Sequence, residues 1–201
     1  MKEEGFYVSF VSLIATNEFI SFMSDGRATD TERNVIVDEN LKKIKKINNS
    51  IIFSVTGNAG AGKILFENYH SYDNTNAKKF AENIFNDVAK GATDKDFYVL
   101  IGGLDASNNL FFTGFDSQKT MHLDFIYPLN GDVRFGTSGN LGNIDSDIIR
   151  EIKKTVAKHN RFNVLDAKAI QDKINLAVAK VDTTVNTRTF HDALLKPFYN
   201  M

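Results

Sequence analysis

Two apolar runs near the N-terminus place the strongest limit on how this chain can fold. The runs "FYVSFVSLIAT" (residues 6–16) and "FISFMSD" (Phe19–Asp25) are rich in aromatic and β-branched residues, which favour β-strands. Asn17 and Glu18 separate them and predict a hairpin turn. Neither run alternates between apolar and polar residues, which is typical of strands covered on both faces. The sequence therefore predicts a buried hairpin.

The order of the remaining elements predicts the fold class. Further strands are expected over residues 34–38, 41–47, 51–56, 97–105, 109–115, 120–126 and 132–138, and near Thr189. Helices are expected over residues 58–70 and 76–91, around Ile144, Ile148, Ile152 and Val156, and around Leu165, Ile170, Ile174, Ala177, Val178 and Val181. Strands, two helices, strands and two helices predict an α+β fold, a four-layer αββα sandwich of two antiparallel sheets between helix layers. The same order argues against folds in which strands and helices alternate one for one.

Length and composition narrow the class of protein. The 201 residues contain no linker-like segment, so one domain spanning residues 1–201 is expected. A net charge of −1 gives no electrostatic reason to expect nucleic-acid or membrane partners. The absence of cysteine and of a basic, signal-like start favours a cytoplasmic location.

The glycine-rich stretch "GNAGAGK" (residues 57–63) matches most of a phosphate-binding loop. Such loops need Ser or Thr after the lysine to bind magnesium, and this chain has Ile64 there. We therefore interpret the glycines as a tight strand-to-helix turn and keep nucleotide binding through Gly57 to Lys63 as a further alternative. No cofactor or metal is expected, because His70, His122, His159 and His191 have no partner at helical spacing and there is no cysteine.

Four segments, in this order, resemble β-type proteasome subunits and the related bacterial ATP-dependent peptidase. They are "FISFMSDGRATD", "LKKIKKINNSIIFSVTGNAG", "FGTSGNLG", and a helix that opens with "VLDA" and ends with "AKVD". The resemblance covers about residues 9–182 and implies an N-terminal nucleophile hydrolase with the αββα sandwich. It also implies a homo-oligomer such as a ring, a peptide substrate, and an ATP-dependent unfoldase as partner.

The resemblance assigns a role to each matching residue. In this family the chain-terminal hydroxyl attacks the substrate while its own α-amine acts as base. A neighbouring lysine favours the deprotonated hydroxyl, an aspartate holds the lysine, and a glycine N–H stabilises the oxyanion. The matching catalytic residues are Ser9 as nucleophile, Asp25, Lys43, Gly57 as oxyanion glycine, Ser138 and Asp182.

The chain departs from the family pattern at several positions. Ser9 replaces the usual threonine, Val8 replaces the preceding glycine, Gly26 stands where serine is common, and Val185 replaces a late serine. Residues 1–8 would be an N-terminal extension or propeptide, and while attached they leave Ser9 with an amide nitrogen that cannot accept a proton. Two functions therefore stay open. One is a peptidase processed to Ser9, and the other is a non-catalytic ring or scaffold subunit that keeps its extension.

Structural interpretations also stay open for individual residues. Ser9 is also consistent with a purely structural role as a small residue in a buried strand. Lys43 lies among other lysines, a pattern typical of a solvated strand face. Asp25 is also consistent with a turn residue, Ser138 with a residue that caps the following helix, and Asp182 with a surface charge.

Overall fold

The described chain combines α-helices with antiparallel β-sheets. The computed structural model describes residues 6–7, 10–30, 33, 35–70, 72, 76–91, 96–118, 122–139, 145–158 and 162–197. The strands are β1 (Phe6–Tyr7), β2 (Val11–Ala15), β3 (Phe19–Asp25), β4 (Ala28–Asp30), β5 (Val35–Asp38), β6 (Ile44–Asn48), β7 (Ile51–Asn58), β8 (Phe97–Leu104), β9 (Leu110–Asp116), β10 (Arg134–Ser138) and β11 (Thr189–Leu195). The helices are α1 (Ala59–Asn68), α2 (Ala77–Gly91), α3 (Asp145–Lys158) and α4 (Val164–Val181).

In the described ranges the strands form two larger sheets and a ribbon, all antiparallel. The first sheet has the order β1-β7-β8-β9, and β6 also pairs with β7. The second sheet has the order β10-β2-β3-β11, and β4 and β5 form the ribbon. The predicted hairpin is confirmed as β2 and β3, and its turn is held by Thr16, whose hydroxyl accepts the amides of Glu18 and Phe19.

Three hydrophobic clusters account for the burial of the central strands. One joins residues of both larger sheets, including Leu13, Phe22 and Ile52. The second lies between the first sheet and helices α1 and α2, and the third between the second sheet and helices α3 and α4. Every residue of β2 and β3 is buried, as their continuous hydrophobicity predicts. This α+β arrangement is compatible with a sandwich.

The N-terminal apolar run does not form one strand. Its first part, β1, pairs with β7 in the first sheet, whereas β2 begins at Val11 in the second sheet. The chain therefore crosses from one sheet to the other between these strands. The predicted site residue Ser9 lies outside the described residues.

Two other predictions need correction. Within the predicted strand over residues 120–126, the described part makes only a single bridge, in which Ile126 pairs with Phe112 on β9. Two residues of the predicted α4 stripe are not buried, since Val181 is 71% exposed and Leu165 is 75% exposed. Leu165 lies five residues before Ile170, which places it roughly 140° around the helix at 3.6 residues per turn. No helix in the described ranges has the length and apolarity needed to cross a membrane.

Candidate functional site

A buried ion pair between Lys43 and Asp25 forms the centre of the candidate site. Lys43 Nζ lies 2.5 Å from Asp25 Oδ1, and the two side chains are 3% and 0% exposed. Asp25 is the last residue of β3 in the second sheet, and Lys43 directly precedes β6 in the first. The interpretation of Lys43 as part of a solvated strand face is therefore wrong. Its neighbour Lys42 does lie at the surface, where it pairs with Asp192.

Backbone groups complete the hydrogen bonding of this pair. The Asp25 carboxylate accepts the amide of Phe10 on Oδ1 at 2.9 Å and the amide of Arg27 on Oδ2 at 2.8 Å. The Lys43 ammonium also donates to the carbonyl of Arg27 at 2.5 Å. Buried charges are tolerated when they are paired and hydrogen-bonded in this way. Asp25 is therefore more than the turn residue that the sequence also allowed.

Burial changes the protonation chemistry of Lys43. Removal from water lowers the pKa of the Lys43 ammonium below its usual value of 10.5, although the negative charge of Asp25 opposes this effect. Asp38 also raises the pKa of Lys43, and the positive charge of Arg27 lowers it. The pKa of Lys43 therefore depends on the balance between its burial and its pairing with Asp25.

Gly57 stands at the point where β7 passes into α1. Its φ angle is +95°, and a Cβ atom there would lie 2.6 Å from the carbonyl oxygen of Asp96. Only glycine fits this position without a shift of the backbone. Gly62 is different, because its Cβ would make ordinary contacts with Val55 at 3.6 Å. The expected strand-to-helix turn is confirmed, and of these two glycines only Gly57 is required by its surroundings.

The edge of β7 at Gly57 is paired with the N-terminal segment. Asn58 N donates to Asp96 O at 3.0 Å, which makes this a hydrogen-bonded pair between β7 and the start of β8. Backbone groups of successive residues alternate in direction, so those of Gly57 point to the opposite edge. There Tyr7 lies opposite Gly57 and Phe6 lies opposite Asn58.

Ser138 ends β10, and its hydroxyl forms a hydrogen bond with the hydroxyl of Thr56 on β7. Both side chains are buried. This bond ties the end of β10 to β7. The alternative interpretation of Ser138 as a helix cap concerns residues 140–144, which lie outside the described residues. The sequence reasoning missed Thr56. The signal was available, because Thr56 follows Ile52 by four residues on the strand face that contributes to the inter-sheet cluster.

Asp182 makes no described hydrogen bond to Lys43 or Asp25. It follows α4, and its carboxylate accepts the amide and the hydroxyl of Thr184 at 2.9 and 2.5 Å. The loop that it shapes contacts the site indirectly, since the carbonyl of Thr183 accepts a bond from the Arg27 guanidinium at 2.6 Å. The structure thus brings together Asp25 and Lys43 and leaves Asp182 in a supporting loop.

A cavity of about 720 Å³ opens beside Lys43 and Gly57. Its apolar lining residues are Ala28, Val37, Leu41, Val55 and Phe66. Lys45 also lines it and donates to the carbonyl of Phe66 at 3.0 Å. Several charged side chains line it as well, namely Asp38, Lys42, Lys43, Lys63 and Glu67. A concave space that combines apolar surface with polar groups suits a small ligand or a side chain. Among the described residues, no group of three or more His, Asp or Glu is arranged to hold a metal ion.

The functional interpretation depends on this geometry, because sequence relatives do not supply one. No protein-family model matches the chain, and no curated protein matches its sequence.

Proposed function

We propose that this chain is a proteasome-like N-terminal nucleophile hydrolase with the αββα sandwich, which cleaves peptide amide bonds from Ser9 after residues 1–8 are removed. The observation that carries the proposal is the buried Lys43–Asp25 pair. Phe10, the residue directly after Ser9 in the sequence, donates its amide to this pair through Asp25. The ion pair is therefore hydrogen-bonded, through Asp25, to the peptide group between Ser9 and Phe10.

The proposed reaction is an acyl transfer in two steps. The Ser9 hydroxyl oxygen bonds to the substrate carbonyl carbon, and its proton passes to the free α-amine of Ser9. That proton then moves to the leaving nitrogen as the carbon–nitrogen bond breaks, and water hydrolyses the resulting ester. The Lys43 ammonium favours the ionised hydroxyl by its charge, and the Gly57 N–H stabilises the oxyanion.

The cavity beside Gly57 supports a peptide as substrate. An extended peptide that paired with the edge of β7 at Gly57 would take the position that β1 has in the unprocessed chain. Alternate side chains of such a strand point to opposite sides, so one could enter the cavity. As in the family it resembles, we propose that the chain works as a homo-oligomer, such as a ring, and with an ATP-dependent unfoldase.

Covalent labelling of the processed chain tests the proposal. A chain that begins at Ser9 is expected to react with a hydroxyl-directed peptide epoxide and to gain the mass of one label. Ser9→Ala should abolish the label. Ser12→Ala should keep it, because the Ser12 hydroxyl is buried without a described partner and plays no part in the site. A processed chain that takes up no label would contradict the proposal.

A non-catalytic ring or scaffold subunit is the second candidate, and one observation favours it. Phe6–Tyr7 are part of the first sheet, so the extension contributes to the fold that it would have to leave on processing. Light scattering that shows a ring, together with a full-length chain that never reacts with the epoxide, would favour the scaffold.

Nucleotide binding through Gly57 to Lys63 has less support in the geometry. Asn58 caps α1 and its side chain already accepts the amide of Ala61, which a phosphate would need. Lys63 is exposed and lies 4.0 Å from Glu67. Titration with ATP and magnesium in a calorimeter should therefore give no heat of binding.

A further inference from the structure

Asn186 joins three separate segments behind the ion pair. Its side-chain oxygen accepts the amide of Gly26 at 2.9 Å, and its side-chain nitrogen donates to Glu39 Oε2 at 2.5 Å and to the Glu39 carbonyl at 3.1 Å. Its own carbonyl accepts a bond from Asn175 on α4 at 2.8 Å. The turn after β3, the residue after β5 and helix α4 are therefore tied together at one largely buried amide.

Arg27 connects this junction to the ion pair. Its guanidinium donates to Glu39 Oε1 at 2.9 Å and to the carbonyl of Thr183 at 2.6 Å. Its backbone contacts both members of the pair, because the Arg27 amide donates to Asp25 and the Arg27 carbonyl accepts from Lys43. We call Arg27, Glu39 and Asn186 the Arg27 latch.

We propose that Asn186 and Glu39 are positioning residues for Lys43 and act through the backbone of Arg27. A latch that fixes the Arg27 side chain also fixes the carbonyl that holds the Lys43 ammonium. The consequence for catalysis rests on the proposed hydrolase function, whereas the positioning itself does not.

The absence of a side chain at Gly26 leaves the space that the Arg27 latch occupies. A Cβ atom at Gly26 would lie 2.8 Å from the Glu39 carbonyl and 3.4 Å from the Asn186 side-chain oxygen, so a side chain there would push the latch apart. Gly26 is also one of the positions at which the chain departs from the family that it resembles.

The lowered pKa of Glu39 agrees with the hydrogen bonds that form the Arg27 latch. The hydrogen bond from Asn186, followed by that from Arg27, holds the pKa of Glu39 below its usual value. Glu39 is therefore ionised at neutral pH and can accept bonds from both partners. The charged groups that act on Lys43 itself are Asp25, Asp38 and Arg27.

The proton exchange of the Lys43 ammonium with water tests the proposal in the full-length chain. In ¹⁵N-lysine-labelled protein in mildly acidic solution, Asn186→Ala should speed this exchange by roughly tenfold, because local opening governs the exchange of buried groups. Ile84→Val supplies a control, since it removes one methyl group from the cluster under α2 and lowers global stability without touching the latch.

A double variant tests whether slow exchange of the Lys43 ammonium can be restored. Asn186→Asp alone sets a carboxylate against Glu39, whereas adding Glu39→Gln restores a donor–acceptor pair and should slow the exchange again. Should Asn186→Ala fail to fold, Glu39→Gln at a part-exposed side chain provides the same measurement. Unchanged Lys43 exchange in the latch variants, or equal acceleration in Ile84→Val, would overturn the proposal.

This test is independent of the hydrolase proposal. Lys43 exchange is read in the unprocessed chain and needs no catalytic activity. A working latch in a chain that never cleaves peptides would refute the proposed function alone, and an active enzyme with unaffected Lys43 exchange would refute the latch alone.

Discussion

Replacing Lys43 by methionine removes one partner of the buried ion pair while keeping a side chain of similar length. The Asp25 carboxylate would then stay buried at 0% exposure with only the amides of Phe10 and Arg27 as described donors. The Arg27 carbonyl would lose its ammonium donor as well. Removing one partner of a buried pair destabilises proteins by about 3–5 kcal/mol, because an uncompensated charge is left behind. That loss is a large fraction of the roughly 5–15 kcal/mol that stabilises a typical domain.

Lys42→Met is the matched control, because it makes the same substitution one residue earlier in the chain. Lys42 is 44% exposed and lies 3.3 Å from Asp192 at the surface. Exposed ion pairs contribute about 0–1 kcal/mol, so this variant should be nearly as stable as the parent chain. The two variants differ in the burial of the lysine and hardly at all in chemistry.

Thermal unfolding followed by far-ultraviolet circular dichroism measures the stability of both variants, since the chain has no tryptophan for fluorescence. In a chain of this size, the expected loss for Lys43→Met lowers the melting temperature by roughly 10 °C. Equal stability of the Lys43 and Lys42 variants would refute the claim that this pair is buried and compensated.

Three further predictions concern the surroundings of the pair. Gly57→Ala should destabilise the chain by about 2 kcal/mol or more in a denaturant titration, because its φ angle is +95° and no Cβ fits, whereas Gly62→Ala should be neutral or stabilising. The lowered pKa of Glu39 adds stability that is present above its unfolded value near 4.5 and is lost as the pH falls through the lower folded value. In Glu39→Gln, the free energy of unfolding should therefore fall less between neutral and acidic pH than it does in the parent chain. An equal fall in both chains would contradict this. Thr56→Val and Ser138→Ala should show a coupling of about 1 kcal/mol in a double-mutant cycle, and strict additivity would argue against their hydrogen bond.

The parts of the fold that follow from local pattern could be predicted from the sequence. Continuous hydrophobicity in β2 and β3 predicted strands buried on both faces, and the two residues between them predicted the hairpin. The run "TMHLDFI" has the composition of a strand, so the sequence could not predict that its described part makes only a single bridge at Ile126. Whether such a run finds a strand partner depends on tertiary contacts that its own residues do not encode.

The candidate site shows the same limit. Lys43 cannot be told from Lys42 by local sequence, and only the packing of the two sheets buries one and exposes the other. The family resemblance pointed to Lys43 and Asp25, but it gave no indication of Asn186, whose side chain bonds to residues 147 and 160 positions away in the chain. Such distant hydrogen bonds leave no periodic signal.

Intact mass spectrometry of the protein purified from its own cells shows whether Ser9 becomes the first residue of the chain. We expect a species that begins at Ser9, lacks residues 1–8 and gains the mass of one peptide epoxide. A population made only of full-length chains, with no mass gained from the epoxide, would contradict this expectation.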